Sequence, residues 1–243
     1  MENIICMKWG TKFGPEYVNR LASMVRRHIS RPYRMICFTE NPNGIDSSVE
    51  IQPLPPMDLD PSLPERGWRK LTVFQKNLAG LEGPTLFLDL DIVILGPLDD
   101  FFDVPGKFRI INDWNLNNFI GNSSVFRFEA GQTPEVLQYY LEHTAEIYAA
   151  HRNEQAYLSW WMKEHGLLEY WDEAWCKSFK RHCLRTFPMG YFLPPRHPGP
   201  ETRVLVFHGK PNPADIVGGW HSSNFLRAAS APDWFLEEWE KCE

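Results

Sequence analysis

Between Leu86 and Val93 the chain reads Leu-Phe-Leu-Asp-Leu-Asp-Ile-Val, with two carboxylates one residue apart in a run otherwise apolar enough for a strand buried on both faces. Such a strand belongs inside an α/β sheet. An unpaired buried carboxylate is costly, so Asp89 and Asp91 require a cation or a water-filled cleft to remain ionised. Strand alternation sends both to one face, about 7 Å apart along the chain, within reach of one divalent ion directly or through water. The pair is therefore the first candidate for an active site.

The flanking sequence repeats a strand-and-helix order. Ile4 to Met7 reads as a first strand, the loop Trp9 to Gly14 follows, and Pro15 opens a helix whose apolar face carries Tyr17, Leu21, Met24, Val25 and Ile29. Met35 to Phe38 gives a second strand, and the proline-rich stretch from Asn41 to Pro64 is expected as an irregular excursion. Leu71, Phe74, Leu78 and Leu81 predict a helix that Gly83-Pro84 ends, directly before the acidic strand. Further strands are expected at Arg109 to Ile111 and Ser124 to Phe126. Thr133-Pro134 then starts one long helix through Ile147, and Asn153 caps another that Gly166 terminates. The last strand is Val204 to Phe207. This alternation predicts an α/β fold with a mostly parallel sheet, helices on both faces and ligands at the carboxyl edge. The aromatic C-terminal half is expected to supply the second wall of the cleft.

Composition narrows the class. A chain of 243 residues, 43% of them hydrophobic, fits one domain over residues 1–243. A formal charge of -6 argues against a nucleic-acid partner, which demands clustered Lys and Arg. The five cysteines, Cys6, Cys37, Cys176, Cys183 and Cys242, are odd in number and lack a Cys-x-x-Cys pair, so they are expected as free thiols in a reducing compartment. No apolar run reaches the roughly 18 residues of a membrane span, and the first residues lack a signal-peptide pattern, so a soluble cytoplasmic protein is expected.

His208 follows the last strand at once and opens His-Gly-Lys-Pro, bringing an imidazole, Gly209 and the Lys210 cation to a strand exit. With Asp89 and Asp91 it completes two carboxylates and one imidazole, a set suited to Mn²⁺ or Mg²⁺ carrying a diphosphate. Lys210 is equally at home on a phosphate and in a solvated turn.

Together with Arg69-Lys70-Leu71, Gly121-Asn122-Ser123-Ser124 and Glu154-Gln155, this order resembles a GT-A (Rossmann-like) glycosyltransferase. The spacing is most similar to the retaining family-eight enzymes, the glycogenin and lipopolysaccharide galactosyltransferase group, over about residues 4 to 212. The resemblance implies a nucleotide-sugar donor, usually UDP-linked, an unidentified hydroxyl acceptor, manganese held by Asp89, Asp91 and His208, and within the one domain a nucleotide-binding part at about 1–100 and a sugar and acceptor part at about 101–243. It also implies donor contacts from the loop containing Trp9, Gly10 and Thr11, from Asp89-Leu90-Asp91, and from Lys70, Asn122, Gly209 and Lys210. Glu154, Gln155 and Asp113 are then expected around the sugar and the reacting carbon.

Several residues depart from the family pattern or keep two readings. Lys70 stands where the family has Arg and lacks the bidentate fork. Trp9 suits a nucleobase or the core equally, and Asp113 is either a sugar ligand or a loop aspartate. Acceptor choice is expected in the aromatic tract from Tyr170 to Pro200, including Trp171, Trp175, Tyr191 and Phe192. Two alternatives compete with this reading: a haloacid-dehalogenase-type Mg²⁺ phosphatase using the Asp89-x-Asp91 strand, and a non-catalytic carbohydrate-binding protein, suggested by ten tryptophans.

Overall fold

The computed structural model describes residues 1–59, 65, 67–114 and 119–241, so Cys242 and the last residues of the Asn41 to Pro64 excursion lie outside the described residues. The chain runs through β1 (Glu2–Lys8), α1 (Pro15–His28), β2 (Tyr33–Thr39), β3 (Glu50–Pro53), β4 (Gly83–Leu88), β5 (Ile92–Ile94), α2 (Asp100–Asp103), β6 (Phe108–Asn112) and β7 (Gly121–Ala130). It continues through α3 (Glu135–Glu142), α4 (Thr144–Ala150), α5 (Glu154–Glu164), β8 (Glu169–Tyr170), β9 (Cys176–Ser178) and β10 (Val204–Val206). The described chain closes with α6 (Pro213–Val217), β11 (Trp220–His221), β12 (Ala228–Ala229) and α7 (Asp233–Trp239).

Seven strands form the main sheet in the order β3-β2-β1-β4-β7-β6-β8. Neighbours from β3 to β4 are parallel, β7 runs antiparallel to both β4 and β6, and β6 is parallel to β8. Strict alternation in the central strands divides the core. Ile4, Cys6, Met35, Cys37, Leu86 and Leu88 pack on one face with α1 and α7. Ile5, Met7, Ile36, Phe38 and Phe87 pack on the other with α3 and α5. Both faces are thus covered by helices, as a mostly parallel sheet requires.

Local chemistry sets several boundaries as the sequence predicts. Pro15 opens α1, and the Asn153 side chain accepts from Ala156 N to cap α5. Other expectations are corrected. The helix expected over Leu71 to Leu81 is a short 3₁₀ helix, Trp68–Phe74; Ala79 and Gly80 then take φ of 51° and 69°, which stops any helix, and Gly83 begins β4 instead of ending a helix. The excursion after Asn41 contains the edge strand β3. The single long helix expected after Pro134 breaks at His143, whose φ of -124° is not helical, into α3 and α4. Trp171, which is buried, and Trp175, which is partly so, pack edge-on against Phe101, and Trp171 also borders a cavity beside Asp113.

The largest correction concerns the acidic run. It is two strands in two sheets: β4 ends at Leu88, Asp89 to Asp91 form a turn, and β5 joins a separate three-stranded sheet, β5-β10-β9. Asp89 N donates to Ser124 O of β7 at 2.9 Å, and Phe207 N, just past β10, donates to Asp91 O at 3.2 Å. Each aspartate is therefore tied to a different sheet.

Candidate active site

The carboxyl ends of β1 and β4 share an edge of the main sheet with the start of antiparallel β7. There they border a cavity of about 620 Å³, completed by the first turn of α5 and the exit of β10. Trp9, Gly10, Thr11, Lys70, Asp89, Leu90, Asp91, Asn122, Glu154, Gln155 and His208, all singled out from sequence, line it. Elements far apart in sequence converge because the topology brings strand ends to one edge.

A network of charge floors this cavity. Lys70 Nζ lies 2.7 Å from Asp89 Oδ1, 3.3 Å from Ser123 O and 3.9 Å from Glu154 Oε1. The Ser123 hydroxyl donates to Glu154, and Ser123 N lies 3.4 Å from Gln155 Oε1. Burial pushes the Glu154 carboxyl above its usual pKa, with Lys70 opposing. Burial also works against the Lys70 ammonium, but Asp89 and Glu154 outweigh it and hold its pKa above the ordinary value. Asp91 lacks so close a cation, since Lys12 Nζ stands 4.0 Å away. Burial, then the charge of Asp89, lifts its pKa to about 7.

The loop after β1 is shaped by Gly10, whose φ of 61° suits glycine and whose N–H donates to Glu40 Oε1 at 2.8 Å. Trp9 packs against the core and also lines the cavity. Leu90, although in the lining, sends its side chain into the core. Asn122 accepts from Ser124 N at 3.1 Å through its side-chain oxygen, leaving its NH₂ as the group with donor capacity.

Four of the expected residues, His208, Gly209, Lys210 and Asp113, make contacts of their own or lie outside this cavity. His208 stacks on Trp114, and its Nε2 is 2.7 Å from Ser178 Oγ; burial, then Lys180, lowers its pKa and favours the neutral ring. Lys210 pairs with Asp215 at 2.9 Å, and neither it nor Gly209 lines the cavity. Asp113 faces a neighbouring cavity of about 470 Å³, bordered by Trp114, Asp172, Lys177 and His182. Among the described residues, no three His, Cys, Asp or Glu side chains are grouped closely enough to hold a metal ion. Sequence reasoning overlooked Lys12, Ser123, Ser178 and Lys180. Ser123 lies inside the Gly-Asn-Ser-Ser motif and Lys12 inside the loop Trp9 to Gly14, whereas Ser178 and Lys180 carry no local signal.

No family model matches this chain, and no curated protein does. Solved structures do. The galactosyltransferase LgtC, in complex with donor and acceptor sugar analogues, is similar with a TM-score of 0.64 at 13% identity, covering 99% of this chain and 96% of that one. The glycosyltransferase GlyE of Streptococcus pneumoniae TIGR4 gives 0.63 at 12% identity, and the bifunctional glycosyltransferase WbbM gives 0.60 at 11%. This chain spans 60% of the GlyE chain and 50% of the WbbM chain. The α/β fold expected from sequence is the fold these glycosyltransferases share.

Proposed function

We propose that this chain is a metal-dependent glycosyltransferase, moving a sugar from a nucleoside diphosphate donor, UDP-linked by resemblance to family eight, to a hydroxyl acceptor with retention. The observation that carries the reading is the convergence of Asp89, Asp91, Lys70, Asn122, Glu154, Gln155 and His208 on one cavity at the carboxyl edge of a glycosyltransferase fold.

The donor set fits a hard divalent ion. Two carboxylates face one cavity, and the raised pKa of Asp91 marks a buried anion short of positive charge. Asp89 and Asp91 would hold Mn²⁺ or Mg²⁺, with His208, which lines the same cavity, as the third ligand that the resemblance implies. When bound, the ion would supply Lewis-acid stabilisation of the departing diphosphate, commonly several kcal/mol.

The remaining roles belong to side chains. Transfer breaks the bond between the anomeric carbon and the diphosphate oxygen, so negative charge grows on the leaving group while positive charge grows on the sugar. Lys12, at the cavity rim, offers a cation to the leaving group. Asn122 and Gln155 present amides that orient sugar hydroxyls. Glu154 is held by Ser123 and Lys70 against the cavity wall, and its carboxylate would favour the positive charge developing on the sugar. The incoming hydroxyl would attack on the face of the leaving phosphate, whose oxygen would accept its proton.

Calorimetric titration of UDP with Mn²⁺, beside a panel of nucleotide sugars scored for donor hydrolysis, tests this reading without an acceptor. Saturable binding that disappears with EDTA and in Asp91→Asn, with hydrolysis of one donor, is expected. Unaltered nucleotide binding in both conditions would remove the metal from the proposal, and no binding or hydrolysis of any donor would remove the activity.

A further inference from the structure

Away from the cavity, the turns around Met189–Tyr191 and the β11-β12 hairpin form a surface of unusual composition. Phe192 is 76% exposed, Phe187 60%, Phe225 57% and Leu226 54%, and Met189 and Tyr191 are exposed beside them. These residues form one patch. Tyr191 Oη donates to Phe225 O at 2.9 Å, Phe187 sets its ring edge-on to Tyr191, and Gly190 lies so close to Ala228 that an added Cβ would stand 2.6 Å from the Ala228 carbonyl oxygen. A contiguous apolar patch of this kind marks an interaction site in a soluble fold.

Charge identifies the kind of partner. Residues 174–200 and 216–232, which build the patch, contain Lys177, Lys180, Arg181, Arg185, Arg196 and Arg227 and no Asp or Glu, in a chain whose net charge is -6. Arg185 and Arg227 border the apolar residues, while Lys177 and Arg181 line the adjoining cavity beside Asp113. Arg185 Nε donates to Pro194 O at 2.7 Å, beside Leu193, and Arg227 follows Leu226 directly. Burial, then the fields of Arg227 and Arg181, lowers the Lys180 pKa, so the two segments contribute to one positive region. A second copy of the chain placed on this face by a two-fold axis would set the cations against one another. An anionic bilayer satisfies both features, because aromatic and aliphatic side chains enter the interface while Lys and Arg meet the headgroups.

We infer that the face carrying Phe187, Phe192, Phe225 and Leu226, flanked by Arg185, Arg196 and Arg227, docks on the surface of a bilayer containing anionic lipid. This does not depend on the glycosyl-transfer reading. Vesicle co-sedimentation tests it, using phosphatidylcholine alone and phosphatidylcholine mixed with phosphatidylglycerol. The full chain is expected to pellet only with the mixed vesicles and to be released by salt. Phe192→Glu, and separately the pair Arg196→Glu and Arg227→Glu, are each expected to weaken partitioning by about tenfold or more while keeping the wild-type melting temperature. Absence of binding to the mixed vesicles at low salt overturns the inference. So does equal binding to neutral vesicles, or binding that neither variant weakens. A concentration-dependent dimer abolished by Phe192→Glu, without vesicle binding, would assign the face to a second copy instead.

Discussion

The ammonium of Lys70 lies 2.7 Å from Asp89 Oδ1, so the protein fills part of its acidic site with a cation of its own. Lys70 is nearly buried there and also faces Glu154. Replacing it with Met leaves two desolvated carboxylates without their nearest countercharge. Chemical denaturation of Lys70→Met in EDTA is expected to show a loss of about 3 kcal/mol. Calorimetry should show the same variant binding Mn²⁺ alone more tightly than wild type, because the competing cation is gone.

Asp91 gives a pH dependence of opposite sign to that of a paired carboxylate. Its folded pKa of about 7 lies above the ordinary aspartate value of 3.8, so its contribution to stability is fully present below that lower value and is lost as pH rises through the folded one. Asp91→Asn is expected to stabilise the metal-free protein near pH 8 and to change little near pH 4, where the wild-type carboxyl is already protonated. Urea denaturation at the two pH values reads the difference. A uniform effect would show that shape, not charge, governs the position.

The C-terminal helix supplies the complementary case. Glu238 on α7 stands 3.0 Å from both Arg27 Nη2 and His28 Nε2 at the end of α1. Burial opposes its ionisation, but His28 and Arg27 prevail and lower its pKa. The stability it contributes is therefore present above the unfolded carboxylate pKa and lost as pH falls through the folded value. Glu238→Gln should cost about 1 kcal/mol at neutral pH, and the cost should vanish in strong acid. Thermal unfolding across that range checks it.

Gly67 precedes the 3₁₀ helix that carries Lys70, with φ of 81°, and an added Cβ would stand 2.9 Å from Glu154 Oε2. Gly67→Ala is expected to lose about 1 kcal/mol or more to backbone strain and to displace Glu154 as well. Gly80→Ala is the control, since Gly80 has φ of 69° but nothing within 4 Å of its Cβ position. Comparable stability losses with reduced donor hydrolysis only in Gly67→Ala would separate strain from the push on Glu154.

Legibility in the sequence followed the range of the interaction. The buried alternation of Ile4 to Met7, the proline opening α1 and the Asn153 cap are local, and each appears where the sequence places it. The division of the acidic run was hidden because an apolar period cannot tell which strand will become the partner. Leu88 pairs with β7, whereas Ile92 pairs with β10 more than a hundred residues later. Edge strand β3 lacked a signal because Glu50–Pro53 is polar and ends in proline. The cavity residues were readable as motifs, yet the partners that orient them were not. Nothing near Lys210 in a list of residue types reveals whether Asp215 or a phosphate will hold it, and Ser178 meets His208 only through the pairing of β9 with β10.

The turn from Asp89 to Asp91 also has a mechanical meaning. One aspartate's backbone is hydrogen-bonded to β7 in the large sheet, and the other's is hydrogen-bonded to the residue just past β10 in the small one. The placement of one carboxylate relative to the other therefore follows how the two sheets pack, as the jaws of a caliper follow its frame. Core substitutions between the sheets, far from the cavity, thereby acquire leverage over the acidic pair without touching it.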